Sequence, residues 1–180
     1  MTNTTTAHLP LGFRAAGVAA HIKKTGAPDL ALIVSDRDCT AAALFTTNKV
    51  KAAPVLRDMA LMQTHATSLR AVIINSGCAN ACTGEQGMQD VSETARCVAE
   101  ALGNGLQAAQ VFVMSTGVIG VTLPMDKLCA GVPLAARELD AAGLGHAARA
   151  IMTTDTQPKT AFFQGQIDGQ TCTITGMCKG

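Results

Sequence analysis

The sequence predicts an α/β fold, a sandwich of mixed, largely antiparallel sheets with packed helices. Three observations carry that prediction. Short apolar runs of strand length, Leu30–Val34, Arg70–Ile74 and Gln110–Met114, alternate with stretches whose apolar residues return at helical spacing, without a strict βαβ period. Two alternating runs near the end of the chain, Thr160–Ile167 and Thr171–Met177, meet at Asp168-Gly169, a strong hairpin signal. The aromatic share is 3%, with no Trp and no Tyr, so the core falls to Ala, Val, Leu, Ile and Met, which favour close helix-on-sheet packing.

Each element follows in order. Leu30–Val34 is bounded by Pro28-Asp29 and Ser35-Asp36, as a buried strand should be. Ala41–Phe45 is expected to be its antiparallel partner, leading into Thr46-Thr47-Asn48. From Pro54 the spacing changes: Val55, Met59 and Met62 recur at helical intervals, with Arg57, Asp58 and Gln63 between them. Arg70–Ile74 returns to strand and delivers the loop Asn75–Gly84. A helix from about Glu85 to Leu102 carries Val91, Ala95, Val98 and Leu102 on one stripe, with Asp90, Glu93 and Glu100 toward water. Gly103 and Gly105 end it. Gln110–Met114 feeds a turn at Ser115–Gly120. Pro124 suits the first turn of a helix whose inner face is Leu128, Val132 and Ala135, and a short helix covers roughly Leu144–Met152.

A chain of 180 residues suits one domain, 1–180, large enough for a core without staples. Charged residues make up only 15% and mean hydropathy is +0.25, dry enough to imply a further buried interface. Formal charge is +1, and no basic run exceeds Lys23-Lys24. Nucleic-acid binding would want a basic stripe with stacking aromatics, so it is excluded as a function class. No apolar stretch approaches the roughly 18 residues that span a bilayer, and Met1–His8 does not read as a secretory signal. Seven cysteines without a regular framework read as reduced thiols, so the chain is expected to be cytoplasmic.

Three polar, glycine- or threonine-bearing segments sit at the ends of apolar runs, where a rigid scaffold presents chemistry: Asn75–Gly84, Ser115–Gly120 and Ile151–Thr156. At Ser115-Thr116-Gly117 a hydroxyl beside a glycine amide offers two donors for a developing oxyanion; an ordinary capping turn is the plainer reading. Asn75–Gly84 is suited to holding a polar ligand or fixing a tight backbone. Cys78 and Cys82 form only a lone C-x3-C, and no base neighbours either as a nucleophile. The Thr and Asp residues of Ile151–Thr156 suit a substrate contact or a helix end, and Lys179 suits a carboxylate partner or plain solvation. Phosphate-loop, dinucleotide and nucleophile-elbow motifs do not occur. The residues alone thus reach an α/β protein with glycine/threonine loops fitted to a small polar substrate, without an obvious nucleophile–base pair. The remainder of the active site is expected from another polypeptide.

Taken in order, Gly12-Phe13, Phe45–Asn48, Asn75–Gly84, Ser115–Gly120, Ala150–Thr156 and Lys179-Gly180 resemble the N-terminal (alpha) part of the ornithine acetyltransferase family. The resemblance covers nearly the whole chain. Cys78 departs from it, standing where the family more often has Asn. The resemblance implies a self-processing, Ntn-like architecture in which a precursor cuts itself before a threonine. That threonine then heads a beta chain and acts as nucleophile, with its own α-amino group, of unperturbed pKa about 7.7–8.0, as base. It further implies ping-pong transfer of acetyl from N-acetylornithine to glutamate, releasing ornithine, in arginine biosynthesis.

Some members also take acetyl from acetyl-CoA. Heterodimers that pair again into a heterotetramer, and no bound cofactor or metal, are the family expectation. Carried over by matching position, Thr116 and Gly117 are implied as oxyanion-hole donors, and Thr153 and Lys179 as substrate contacts. Two other readings stand beside this one: a self-processing amidohydrolase or aminopeptidase in which water replaces glutamate, and a non-catalytic amino-acid-binding module.

Overall fold

The computed structural model describes residues 7–179. Its centre is a four-stranded sheet in which each strand lies beside its sequence neighbour, β1 (Phe13–Val18), β2 (Leu30–Cys39), β3 (Leu69–Cys78) and β4 (Val111–Val118). The first two pairings are antiparallel and β3 runs parallel to β4. The parallel pairing requires a crossover, which the helix α2 (Gly84–Leu102) supplies. The other helices are α1 (Ala53–Thr64), α3 (Met125–Arg137) and α4 (Leu144–Ala150). A separate hairpin, β5 (Lys159–Ile167) and β6 (Gln170–Cys178), turns at Asp168 and Gly169, whose φ of 50° and 76° fit the tight turn expected there.

Alternation along the strands makes two apolar layers. Ala16, Val18, Leu30, Leu32, Ile73, Val111 and Val113 face α2 and α3, meeting Val91, Ala95, Val98, Leu128, Val132 and Ala135. Ala15, Ala31 and Ile74 face the other way, onto Ala147, Ala150 and Ile151, and Met177 of β6 packs against this second cluster. The helices therefore cover both faces of the sheet, and small Ala side chains let them approach closely. The α3 stripe and the start of the α2 stripe match the periodicity in the sequence; Leu102 is only half-buried.

Ala41–Phe45 is not a strand: residues 40–48 form no regular element and Leu44 is fully exposed. Both edges of β2 are already taken, by β1 and β3, so a further partner has no ladder to join. In α1 the buried positions are Ala53, Pro54, Asp58 and Leu61, while Val55, Met59 and Met62 are half-buried. In α2, Asp90 is buried rather than solvated, 4% exposed, and accepts from Gln86 Nε2 at 2.8 Å.

Asp58 is buried because it serves the free edge of β4. Both its oxygens accept from Val113 N–H, at 3.3 and 3.4 Å, and its neighbour Arg57 donates to the carbonyls of Val111 and Ala108. Side chains of α1 thus do what a fifth strand would otherwise do. Burial raises the Asp58 carboxyl to about 6, opposed by the Val113 amide and by Arg57. Folding therefore takes up a proton between the unfolded value near 4 and about 6. Stability is highest below this window and falls as pH rises through it, by up to about 2–3 kcal/mol. Urea unfolding at pH 4.5 and 7 should show this slope in the wild type and a flatter one in Asp58→Asn; equal slopes would refute it.

Candidate active site

The parallel pair β3–β4 builds the site at its C-terminal end. The two strands stay in register past the apolar runs, with Asn75 opposite Ser115, Ser76 opposite Thr116 and Gly77 opposite Gly117. The turn expected at Ser115–Gly120 therefore begins as strand and leaves the sheet only after Val118. The two loops beyond are tied together: Ala79 N–H donates to Val118 O and Gly120 N–H to Ala81 O, both at 2.9 Å. Inside the first loop, Asn75 Nδ2 donates to Cys78 O and Asn80 Nδ2 to Gly87 O, while Thr83 Oγ1 donates to Asn80 Oδ1. Asn75 and Asn80 are buried, so these amides fix the backbone rather than wait for a ligand.

Beside this end opens a cleft of about 920 Å³, lined by Gly77, Cys78, Val118, Val121, Met152 and Thr153. Lys23, Lys24, Lys127 and Arg149 also line it, against the single acid Asp155, which Lys159 already engages at 2.9 Å. The excess of cations fits a ligand that carries carboxylates. Cys78 is buried, its thiol donating to Val121 O at 3.2 Å, whereas Cys82 is exposed.

Lys23 anchors the floor. Its Nζ donates to Met152 O at 2.6 Å and to Pro28 O at 2.9 Å, and burial lowers its pKa against the pull of Asp29. Asp29, wholly buried, accepts Ala20 N–H at 2.7 Å and Lys23 N–H at 2.8 Å, and its own carbonyl takes Ser76 N–H. Ser76 Oγ in turn donates to Ala150 O at 2.5 Å. These contacts join the 20–29 segment, the end of β3 and the end of α4 into one frame.

Each residue singled out in the sequence now has a place. Thr116 and Gly117 sit side by side at the end of β4; Thr116 is half-buried and Gly117 exposed. Thr153 is at the rim of the cleft, its N–H held by Asp155 Oδ2 at 3.1 Å. It lies three residues past Ala150, the partner of Ser76 opposite Thr116, so these three residues share one end of the sheet. Lys179 is not in the cleft lining. It is exposed, one step past Cys178, which pairs with Lys159. Met177 holds that hairpin end beneath α4. Lys23 and Asp29 escaped the sequence reading as site residues, since neither carried a local signal; Ser76 and Asp155 lay in segments already marked for a ligand.

Residues 14–180 match the ArgJ family. The chain belongs to that family. It is 53% identical over 173 residues to the arginine biosynthesis bifunctional protein ArgJ of Symbiobacterium thermophilum, covering 95% of this chain and 42% of that protein. Its identity to the ArgJ of Geobacter sulfurreducens is 52% over 169 residues, covering 94% and 42%. This chain thus spans about two fifths of the length of the curated relatives it matches. Among solved structures, ornithine acetyltransferase of Mycobacterium tuberculosis, complexed with ornithine, superposes with a TM-score of 0.89 at 50% identity, covering 95% of this chain and 89% of that one. The ArgJ protein of Bacillus halodurans superposes at 0.86 with 36% identity, covering 94% and 87%. The family assignment agrees with the resemblance in the sequence, and the mixed α/β architecture is shared with both structures. Among the described residues, no helix is long and apolar enough to cross a membrane.

Proposed function

We propose that residues 1–180 are one domain, the alpha chain of a self-processed glutamate N-acetyltransferase. It acts in arginine biosynthesis, in the cytoplasm, together with a beta chain headed by the nucleophilic threonine. The reading rests above all on one juxtaposition. Thr116 and Gly117 lie near the end of β4, next to Val118, which lines a cation-rich cleft together with Thr153, in a chain whose ArgJ relatives are about half identical to it.

The reaction divides between the chains. The beta-chain threonine attacks the acetyl carbonyl of N2-acetyl-L-ornithine, ornithine leaves, and the amine of L-glutamate then takes the acetyl group from the threonine. Both steps pass through a tetrahedral oxyanion. Thr116 and Gly117 supply donors to it, Thr153 meets the substrate, and the cations of the cleft draw in its carboxylate. Apolar side chains left exposed on the hairpin and at the end of β4, among them Phe163, Ile167, Ile174, Val118 and Ile119, support a partner chain. A pairing of such heterodimers into a heterotetramer belongs to the same reading.

Lys179 has the role of gripping a substrate carboxylate. Lys179→Ala should raise KM by about tenfold while kcat changes little, as loss of uniform binding requires. Steady-state kinetics check this, and a fall in kcat at constant KM would assign Lys179 to the transition state or to processing instead. The reading as a whole is tested by denaturing intact-mass spectrometry of the natively purified protein, followed by an exchange assay from acetylornithine to glutamate. A second polypeptide beginning with Thr, together with transfer in excess of hydrolysis, is the expected result. A single uncut chain without transfer would overturn it.

A further inference from the structure

Away from the cleft, two thiols meet between helices. Cys97 of α2 and Cys129 of α3 are both half-buried against the main core, and their Sγ atoms lie 2.6 Å apart. Their helices are already fitted to each other through the core, and Thr94 Oγ1 reaches Met125 Sδ one turn away. Glu93 comes within reach of both sulfurs, so the three side chains form a group in which a cation is the first alternative to consider.

Two observations decide against the cation. Both carboxylate oxygens of Glu93 are held by Arg96, at 2.5 and 2.7 Å, and an ion would have to displace that guanidinium. Two thiolates sharing a tetrahedral zinc, with Zn–S about 2.3 Å, stand about 3.7 Å apart. The separation here is much nearer the disulfide bond of about 2.05 Å.

We propose that Cys97 and Cys129 are a modification site, a dithiol that a hydroperoxide converts into a disulfide joining α2 to α3. The balance is simple. One sulfur attacks the peroxide oxygen, giving a sulfenic acid and water; the second thiol displaces a second water from it. Two thiols are oxidised by two electrons, one hydrogen peroxide is reduced, and two waters are released. Burial and the neighbouring sulfur push the Cys97 thiol up, keeping it protonated at neutral pH. The bond therefore forms under sustained oxidation rather than as a fast signal. Its structural effect is specific: α2 starts directly after the loop 79–83 that leaves β3, and α3 directly after the cleft residues Val121 and Pro124. The bond fixes the two helices that carry these loops. The inference stands independently of the acetyl-transfer reading.

The test uses the natively purified protein, treated with hydrogen peroxide, blocked with N-ethylmaleimide and digested with trypsin without reduction. Trypsin cuts at Arg96 and Lys127, leaving the two cysteines on different peptides. The expected result is a Cys97–Cys129 linked pair, released by dithiothreitol, with their alkylation falling at least tenfold relative to Cys39 and Cys82. The oxidised protein should also melt about 5 °C above the reduced one. Cys97→Ser and Cys129→Ser should each remove that difference. Full alkylation of both cysteines after peroxide, or linkage to other cysteines, would overturn the proposal whether or not the variants fold. So would protection by added zinc that a chelator reverses, which would make the group a metal site.

Discussion

On the proposed function, Thr116→Ala is expected to lower kcat for acetyl transfer by about 10²–10³, with KM within a few-fold of the wild type. The expectation comes from how Thr116 is placed. It is the sixth residue of β4, opposite Ser76 across a parallel pairing that is still in register. Its β-branched side chain has few rotamers, so the strand aims the hydroxyl without further help. Among the described residues that hydroxyl has no protein hydrogen-bond partner, and it is only half-buried, so removing it leaves no orphaned donor behind. Stability should therefore hardly change while the transition state loses a donor, and Thr116→Ser should recover most of the rate. Rapid kinetics with N-acetylornithine and glutamate, alongside thermal melts, separate the two effects. A loss below fivefold in a normally folded variant would remove Thr116 from the oxyanion site.

What the sequence made legible was whatever local chemistry decides. Pro124 and the spacing of Leu128, Val132 and Ala135 suffice for α3, and Asp168-Gly169 suffices for the hairpin, because neither depends on distant residues. β1 was missed for the opposite reason. Phe13–Val18 is half Ala and Gly and becomes a strand because β2 offers it a ladder and α4 packs on its small residues. The same dependence defeats Ala41–Phe45, a plausible strand for which no edge remains. Buried acids are hardest of all. Asp29, Asp58 and Asp90 look solvated in sequence, yet each is held by donors that the fold brings to it: Asp29 by amides of the preceding segment, Asp58 by a distant strand amide and Asp90 by Gln86 one helical turn away. The two polar segments of the candidate site were legible as strand ends, but the first four residues of each continue the strands rather than forming loops. Their joining was not legible, since only the crossover through α2 brings Asn75–Cys78 beside Ser115–Val118.

Gly117→Ala is expected to be a highly damaging single methyl in the site, because it strikes a close approach of two strands. Gly117 has φ of +138°, a conformation an L side chain rarely takes, and it faces Gly77, itself at +110°. A Cβ there would stand 2.3 Å from Gly77 C and 2.6 Å from both Cys78 N and Gly77 O. All three atoms are main chain, so no side chain can move aside, and the end of β3 must part from β4. Strain of this kind costs about 3 kcal/mol or more. It also displaces Thr116 together with the loop bonds at Ala79 and Gly120, so acetyl transfer should fall below about 1% of wild type even where the variant folds. Gly145→Ala provides the contrast. Gly145 is helical, and a Cβ there meets nothing within 4 Å, so the change should be neutral or stabilise by up to about 1 kcal/mol. Melting curves and transfer assays on the pair distinguish a strained backbone from a general intolerance of added bulk. Should Gly117→Ala melt like the wild type and keep its rate, the two glycine strands are not pressed together as the geometry requires. The two substitutions at adjacent residues thus separate two proposed functions of one strand end: Thr116 is expected to act through its hydroxyl, with stability intact, and Gly117 through the space it leaves for the opposing backbone.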